Sequence, residues 1–128
     1  MESNFDAVAN QILKAVGRPV SFQYPGTEGC KNGILIDRAV MHSPSPGSTS
    51  VPYWDVVDLI QFPNEPEPEW IRIGYYRKPG DRLVYGSQTT ITEPIAAWKK
   101  LFVHAAREKA WFRELLEEVM AELDDTDK

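Results

Sequence analysis

The sequence predicts an α+β domain: an N-terminal helix, a five-stranded antiparallel meander forming either a curled sheet with the helices on one face or a small barrel, and a long C-terminal helix. Three observations carry this. Apolar residues recur at spacings of three and four near both ends of the chain, which is the mark of one helical face. Between those stretches the period falls to two, the mark of strands. The strand-like segments are joined too closely for a parallel crossover, which needs about a dozen residues with a helix among them. With 128 residues, the chain 1–128 is expected to be a single domain.

Residues 4–16 read as the first helix, with Phe5, Val8, Ala9, Ile12, Leu13 and Val16 on one face. Ser3 or Asn4 can cap its start, and Gly17 followed by Pro19 stops it. The sheet is expected over 19–92. Val20, Phe22 and Tyr24 alternate with polar residues in the first strand, and Pro25, Gly26, Gly29 and Gly33 punctuate the loop that follows. The second strand runs from Ile34 to Met41, with Ile34, Ile36 and Val40 on one face and Leu35, Ala39 and Met41 on the other. Ser43 to Pro52 is rich in Ser, Pro and Gly and reads as a flexible connection. Tyr53 to Phe62 is the most hydrophobic strand, and Pro63 to Glu69 is a stiff acidic turn that cannot enter a sheet. Trp70–Arg77 and Leu83–Thr92 form a hairpin about Lys78-Pro79-Gly80-Asp81, where proline then glycine suits a type II turn.

The last helix is expected over 93–123, capped by Thr92 with Pro94 in its first turn, and 124–128 as a frayed acidic tail. Its apolar stripe comprises Trp98, Leu101, Phe102, Ala105, Phe112, Leu115, Leu116, Val119, Met120 and Leu123, and thins near Arg107 to Lys109, where a break in the helix is the alternative to a continuous one. A helix followed by five short strands is also the order of the Sm-like barrels, and Val20 to Met41 resembles their first hairpin. The second motif of that family is missing, and the resemblance carries over no site residues.

Composition narrows the function classes. Hydrophobic content of 42% and charged content of 26% are ordinary for a globular domain, and no apolar run approaches a membrane span. MESNFDAVAN carries two acids and no base, unlike a secretory or transit leader. The one cysteine, Cys30, excludes an internal disulfide, and its Gly-Cys-Lys setting suggests an exposed loop thiol; a cytoplasmic location is the expectation. The net charge of -5 is unevenly spread: residues 70–113 hold nine bases against three acids. Both flanks are acidic, with four bases against nine acids before and one base against seven acids after. Such segregation is the usual footprint of a surface that meets an anionic partner.

Chemistry-bearing motifs are sparse. His42 and His104 have no HxxxH, HxxE or CxxC spacing around them, so neither a metal nor any other cofactor is expected. No GxSxG occurs, and Cys30 has no sequence neighbour to activate it. The segment 26–33 superficially evokes a phosphate loop, but it lacks the GKS/T ending and precedes a strand. Asp55 and Asp58 fall on opposite faces of one strand and make no catalytic pair. Asp58 shares its face with Trp54, Val56 and Ile60. A carboxylate buried there would have a raised pKa or a cationic partner such as Arg38 or Arg72, and it could meet Asp37 across strands. An ion pair or a guard of the sheet edge is the expected role.

Two features point outward. In the hairpin 70–82, alternation places Trp70, Arg72, Gly74 and Tyr76 on one face and Ile71, Ile73 and Tyr75 on the other, core-facing side, with Arg77, Lys78 and Arg82 at the turn. Rings and guanidinium groups together form the kind of platform on which single-stranded bases stack, and Gly74 would let a flat partner approach the backbone. Cross-strand packing alone also accounts for these residues. The last helix is basic in its first half (Lys99, Lys100, Arg107, Lys109, Arg113) and acidic in its second (Glu114, Glu117, Glu118, Glu122, Asp124, Asp125). That order opposes the helix macrodipole, so contacts with other elements or another chain must account for it. A helix of this length overhangs a small sheet, and Leu115, Leu116, Val119, Met120 and Leu123 then need a cover, either helix 1 or the same helix of a second subunit. The expectation is a non-enzymatic interaction domain, outside the membrane, that pairs with itself or another protein through its C-terminal helix. Single-stranded nucleic-acid binding through the 70–82 hairpin is the alternative.

Overall fold

The computed structural model describes residues 4–23, 30–42, 52–78, 82–86 and 93–125. Helix α1 (Asn4–Leu13) precedes β1 (Pro19–Gln23), β2 (Cys30–His42), β3 (Tyr53–Gln61), β4 (Glu69–Arg77) and β5 (Val84–Tyr85); α2 (Ile95–Glu108) and α3 (Ala110–Asp125) follow. The strands pair antiparallel in the order β1-β2-β3-β4-β5. This is the predicted meander, and its sheet is a curled half-barrel. It is open, unlike the closed barrel of the Sm-like proteins: among the described residues no pairing joins β1 to β5. No helix among the described residues is long and apolar enough to cross a membrane.

β3 organises the molecule because it is apolar on both faces. Trp54, Val56 and Ile60 point one way and Val57 the other, and all four are buried. A sheet that is apolar on both sides has to be covered on both sides. Val8 and Ile12 of α1 pack on Trp54 and Val56, while Leu101 and Ala105 of α2 and Phe112 of α3 pack on Val57 and Ala39 across the sheet. The helices therefore take opposite faces, not the one face expected of a curled sheet. An arrangement with all helices on one face would leave Trp54 and Val56 in water, at roughly 1.5–3 kcal/mol for each large side chain.

The first helix is shorter than the 4–16 expected. It ends at Leu13, passes through turns, and is stopped by Gly17 at φ 91°, a left-handed conformation that glycine adopts without steric cost. Gly17 N–H then donates to Leu35 O at 2.6 Å and Leu35 N–H to Arg18 O at 3.0 Å, which fastens the end of α1 to β2.

β2 starts earlier than expected. Cys30, read as a loop residue, is the first residue of the strand and pairs with Gln23. Its strict alternation also fails. The register slips between Leu35, opposite Ile60, and Asp37, opposite Leu59, so Ile36 is bulged out of the pairing. Leu35, Arg38 and Val40 consequently share the α1 face, while Asp37 and Ala39 take the other. Arg38 thus turns inward because of one extra residue.

The predicted long C-terminal helix is two helices. Lys109 is extended (φ -130°, ψ 116°), its N–H donates to Ala105 O at 2.8 Å, and its carbonyl accepts from Phe112 N–H and Arg113 N–H at 3.2 and 3.1 Å. One residue ends α2 and starts α3, at the place where the apolar stripe thins. Separately, Pro94 occupies the N-cap position of α2 instead of its first turn, and its carbonyl accepts from Ala97 N–H and Trp98 N–H. Of the predicted strand 83–92 the structure contains Val84–Tyr85; 87–92, the Thr92 cap, the turn residues 79–81, most of the 43–52 connection and the 126–128 end of the tail lie outside the described residues.

Candidate functional site

Two places carry chemistry beyond ordinary packing, one under α1 and one on the outer side of α2 and α3. Under α1, cross-strand register sets Arg38 of β2, Asp58 of β3 and Arg72 of β4 side by side. Arg38 Nε and Nη2 donate to Asp58 Oδ1 and Oδ2 at 2.6 and 3.0 Å, a two-point fork. Arg72 Nε and Nη2 add two more bonds to Oδ2 at 3.0 and 2.9 Å. Arg38 Nη1 donates to Ile12 O at the end of α1 (3.0 Å) and to the Tyr76 hydroxyl (2.8 Å). Arg38 and Asp58 are 1% and 0% exposed. Two cations therefore share one anion inside the fold, and the helix is tied into the same network.

The rings of Tyr76 and Tyr85, 4.9 Å apart, close this cluster, with the guanidinium carbons of Arg38 and Arg72 at 5.2 and 5.0 Å from Tyr76 and Tyr85 respectively. Burial by itself would lower the affinity of the Arg38 guanidinium for its proton, but the hydrogen bonds and charge of Asp58 outweigh it and hold the pKa above the ordinary arginine value. Burial also pushes the Tyr85 phenol up, while the nearby Arg72 charge pulls against that shift.

The structure places the predicted hairpin residues in this setting. Trp70, Arg72, Gly74 and Tyr76 share a face as the alternation predicted, and it is the face that α1 covers. Trp70 packs edge-on against Phe62 at 4.9 Å and donates Nε1 to Glu67 O at 2.7 Å. Arg72 and Tyr76 bond inside the cluster. A flat group does lie against Gly74, and it is the chain's own Tyr85: a Cβ added at Gly74 would run into that phenol. Arg77 and Arg82 are exposed, and Lys78 is half-buried with its N–H bonded to Pro52 O at 3.3 Å. On the opposite face Ile73 packs on the core, Tyr75 is tilted against Tyr53 at 5.7 Å, and Ile71, expected inside, stays largely exposed.

Asp37 and Asp58 do not meet, because the bulge sends them to opposite faces. Asp37 instead clasps the α2–α3 junction, accepting from Lys109 Nζ at 2.8 Å, Trp111 Nε1 at 3.0 Å and Arg38 N–H at 2.9 Å. Burial alone would raise its pKa; these hydrogen bonds and the Lys109 charge outweigh that and hold the carboxyl below the usual aspartate value. His104 Nε2 is 2.8 Å from Val40 O, and His42 sits edge-on to Trp54 at 5.4 Å. Among the described residues no three His, Cys, Asp or Glu converge as a metal site would require.

The second place is exposed. α2 and α3 border an open groove of about 380 Å³ with an apolar floor of Phe102, Val103, Ala106 and Leu116. Lys99, Arg107 and Arg113 form its rim. Beyond the groove the apolar face of α3 continues into solvent: Leu115, Val119, Met120 and Leu123 are 38%, 47%, 57% and 57% exposed. Of the predicted helix residues, only Leu116 is half-buried, packed on the Phe112 cluster. The sequence had grouped the stripe residues but not the groove, since a groove exists only once the helix folds back at Lys109. Tyr85 and the Asp37–Lys109–Trp111 clasp were also unassigned; the thinning stripe at 107–109 was the one local signal of the latter.

No family model, curated protein or solved structure matches the chain.

Proposed function

We propose that this protein is a non-enzymatic interaction domain that self-associates through α3. One observation carries the reading: α1, the element expected to cover the stripe within the chain, lies on the opposite face of the sheet, tied there by Arg38 to Ile12 O. Among the described residues, Leu115, Val119, Met120 and Leu123 are left facing water on a single helix. Contiguous apolar residues of this kind, rimmed by charge, mark association surfaces in soluble proteins. A second copy offers the same surface, which suits a two-fold, self-complementary contact.

Sedimentation across a concentration series tests this. Twice the monomer mass is expected for the unaltered chain, falling to the monomer mass in Val119→Glu/Met120→Glu. A wild-type chain that stays monomeric at every concentration would remove the proposal.

A further inference from the structure

The exposed stripe needs a counter-surface, and the molecule carries one next to it. Resting on the self-association reading above, we infer that α3 of each copy seats in the α2–α3 groove of the other, antiparallel to the α3 that lines that groove. Two such hairpins form an antiparallel four-helix bundle with the stripes inside.

Chain direction follows from charge. Arg107 and Arg113 rim the groove at the junction end of α3, and Lys99 lines it from further back along α2. Beyond Arg113 the described part of α3 holds acids and no base: Glu114, Glu117, Glu118, Glu122, Asp124 and Asp125. A parallel pairing would set Arg113 against Arg113 and acids against acids. An antiparallel one sets each basic rim against the acidic half of the other copy, and it aligns opposite ends of the two macrodipoles.

Shape agrees with charge. Leu116 belongs both to the groove floor and to the stripe, so the apolar surface is continuous from one into the other. With sixteen residues, α3 is about 24 Å long at 1.5 Å per residue, and Phe112 near its start is the residue buried in the core. Further along α3, Leu115, Val119 and Met120 turn their side chains to the surface. Glu118 and Glu122 follow Leu115 at three and seven, which puts them along one border of the stripe, where they would face the rim of the other copy. The charge order along residues 99–125, adverse for a single helix, becomes complementary between copies.

The test uses the full chain in two charge-reversed forms, Arg107→Glu/Arg113→Glu and Glu118→Lys/Glu122→Lys, each first shown by near-ultraviolet circular dichroism to keep the wild-type fold. In each homodimer the altered surface opposes a like charge twice; in a mixture every rim again meets its opposite. Each variant alone is expected to dimerise at least about tenfold more weakly than wild type at low salt, and the mixture to give a heterodimer by native mass spectrometry. Variants that dimerise like wild type, or a mixture that stays monomeric, would overturn this docking. If Val119→Glu/Met120→Glu is monomeric in the same series, self-association through α3 survives that failure; a monomeric wild type removes both.

Discussion

The α1 face of the sheet and the outer side of α3 handle charge and apolar surface in opposite ways. Under α1, Arg38 and Asp58 are buried among Trp54, Val56 and Ile12, with Arg72 half-buried beside them. On α3, Leu115, Val119, Met120 and Leu123 are exposed among glutamates. The first region is closed within the chain: both Asp58 oxygens are engaged, and Arg38 reaches helix, strand and tyrosine at once. The second is open. Buried charge is tolerated where partners surround it, and exposed apolar surface is what a second molecule is able to cover. Substitutions in the two regions should therefore differ in kind: those under α1 unfold the chain, and those on α3 separate copies.

The largest effect on stability is expected from Asp58→Ala. It strands two guanidinium groups, one fully buried, and should cost about 3–5 kcal/mol, read as a fall in the urea midpoint. A loss under about 1 kcal/mol would mean that water or another acid replaces Asp58, and the cluster would not be the closed region described.

Next comes Gly74→Ala. The new methyl would meet the Tyr85 ring, with Cε2 at 2.9 Å, and Tyr85 is held by Tyr76 and Arg72. About 1–3 kcal/mol of destabilisation is expected. Tyr85→Ala in the same background should relieve part of it, and simple additivity of the two changes would show that the ring does not fill that space.

The Asp37 clasp is more exposed, so solvent screens it and about 1 kcal/mol or less is expected from Asp37→Asn. Its pH dependence has a fixed sign. The folded pKa lies below the unfolded one, so the contribution is complete above the ordinary aspartate pKa of about 3.9 and is lost as pH falls through the lower folded value. Wild type and Asp37→Asn should differ in urea stability at pH 6 and converge in strong acid, with Trp111 fluorescence following the release of the junction. A difference that grows on acidification would reverse the assignment.

The smallest effect on folding is expected from Val119→Glu/Leu123→Glu. Both sites are half-exposed, so the unfolding free energy of the monomer at high dilution should move by only about 0.5 kcal/mol. The same change should abolish self-association. If it instead unfolds the monomer, α3 is covered within its own chain and the contrast between the two regions collapses.

Individual residues show how much was legible. Asp58 stood out because one acid on the Trp54/Val56/Ile60 face breaks the alternation, and Arg38 and Arg72 were its nameable partners; the structure supplies both. The assignment of Arg38 to that face was not legible. Strict alternation gives Leu35, Asp37 and Ala39 one side and Ile36 and Arg38 the other, and only the bulge between Leu35 and Asp37 brings Leu35 and Arg38 together. Bulges depend on pairing with a neighbouring strand, which local sequence does not record. Likewise Trp70, Arg72 and Tyr76 were correctly grouped, but whether their face meets solvent depended on where α1 docks.

By itself the sequence determined the element order, the antiparallel meander and the apolar face of each helix, because periodicity and short connections are local properties of the chain. Tertiary structure decided three further things: that α1 and the C-terminal helices lie on opposite faces, that Arg38 turns inward, and that the last helix folds back at Lys109 to make a groove. Each rests on contacts between residues far apart in sequence, such as Asp37 with Trp111 and Arg38 with Ile12 and Tyr76. The energies of those contacts exist only once the chain has closed on itself, so no local window contains them.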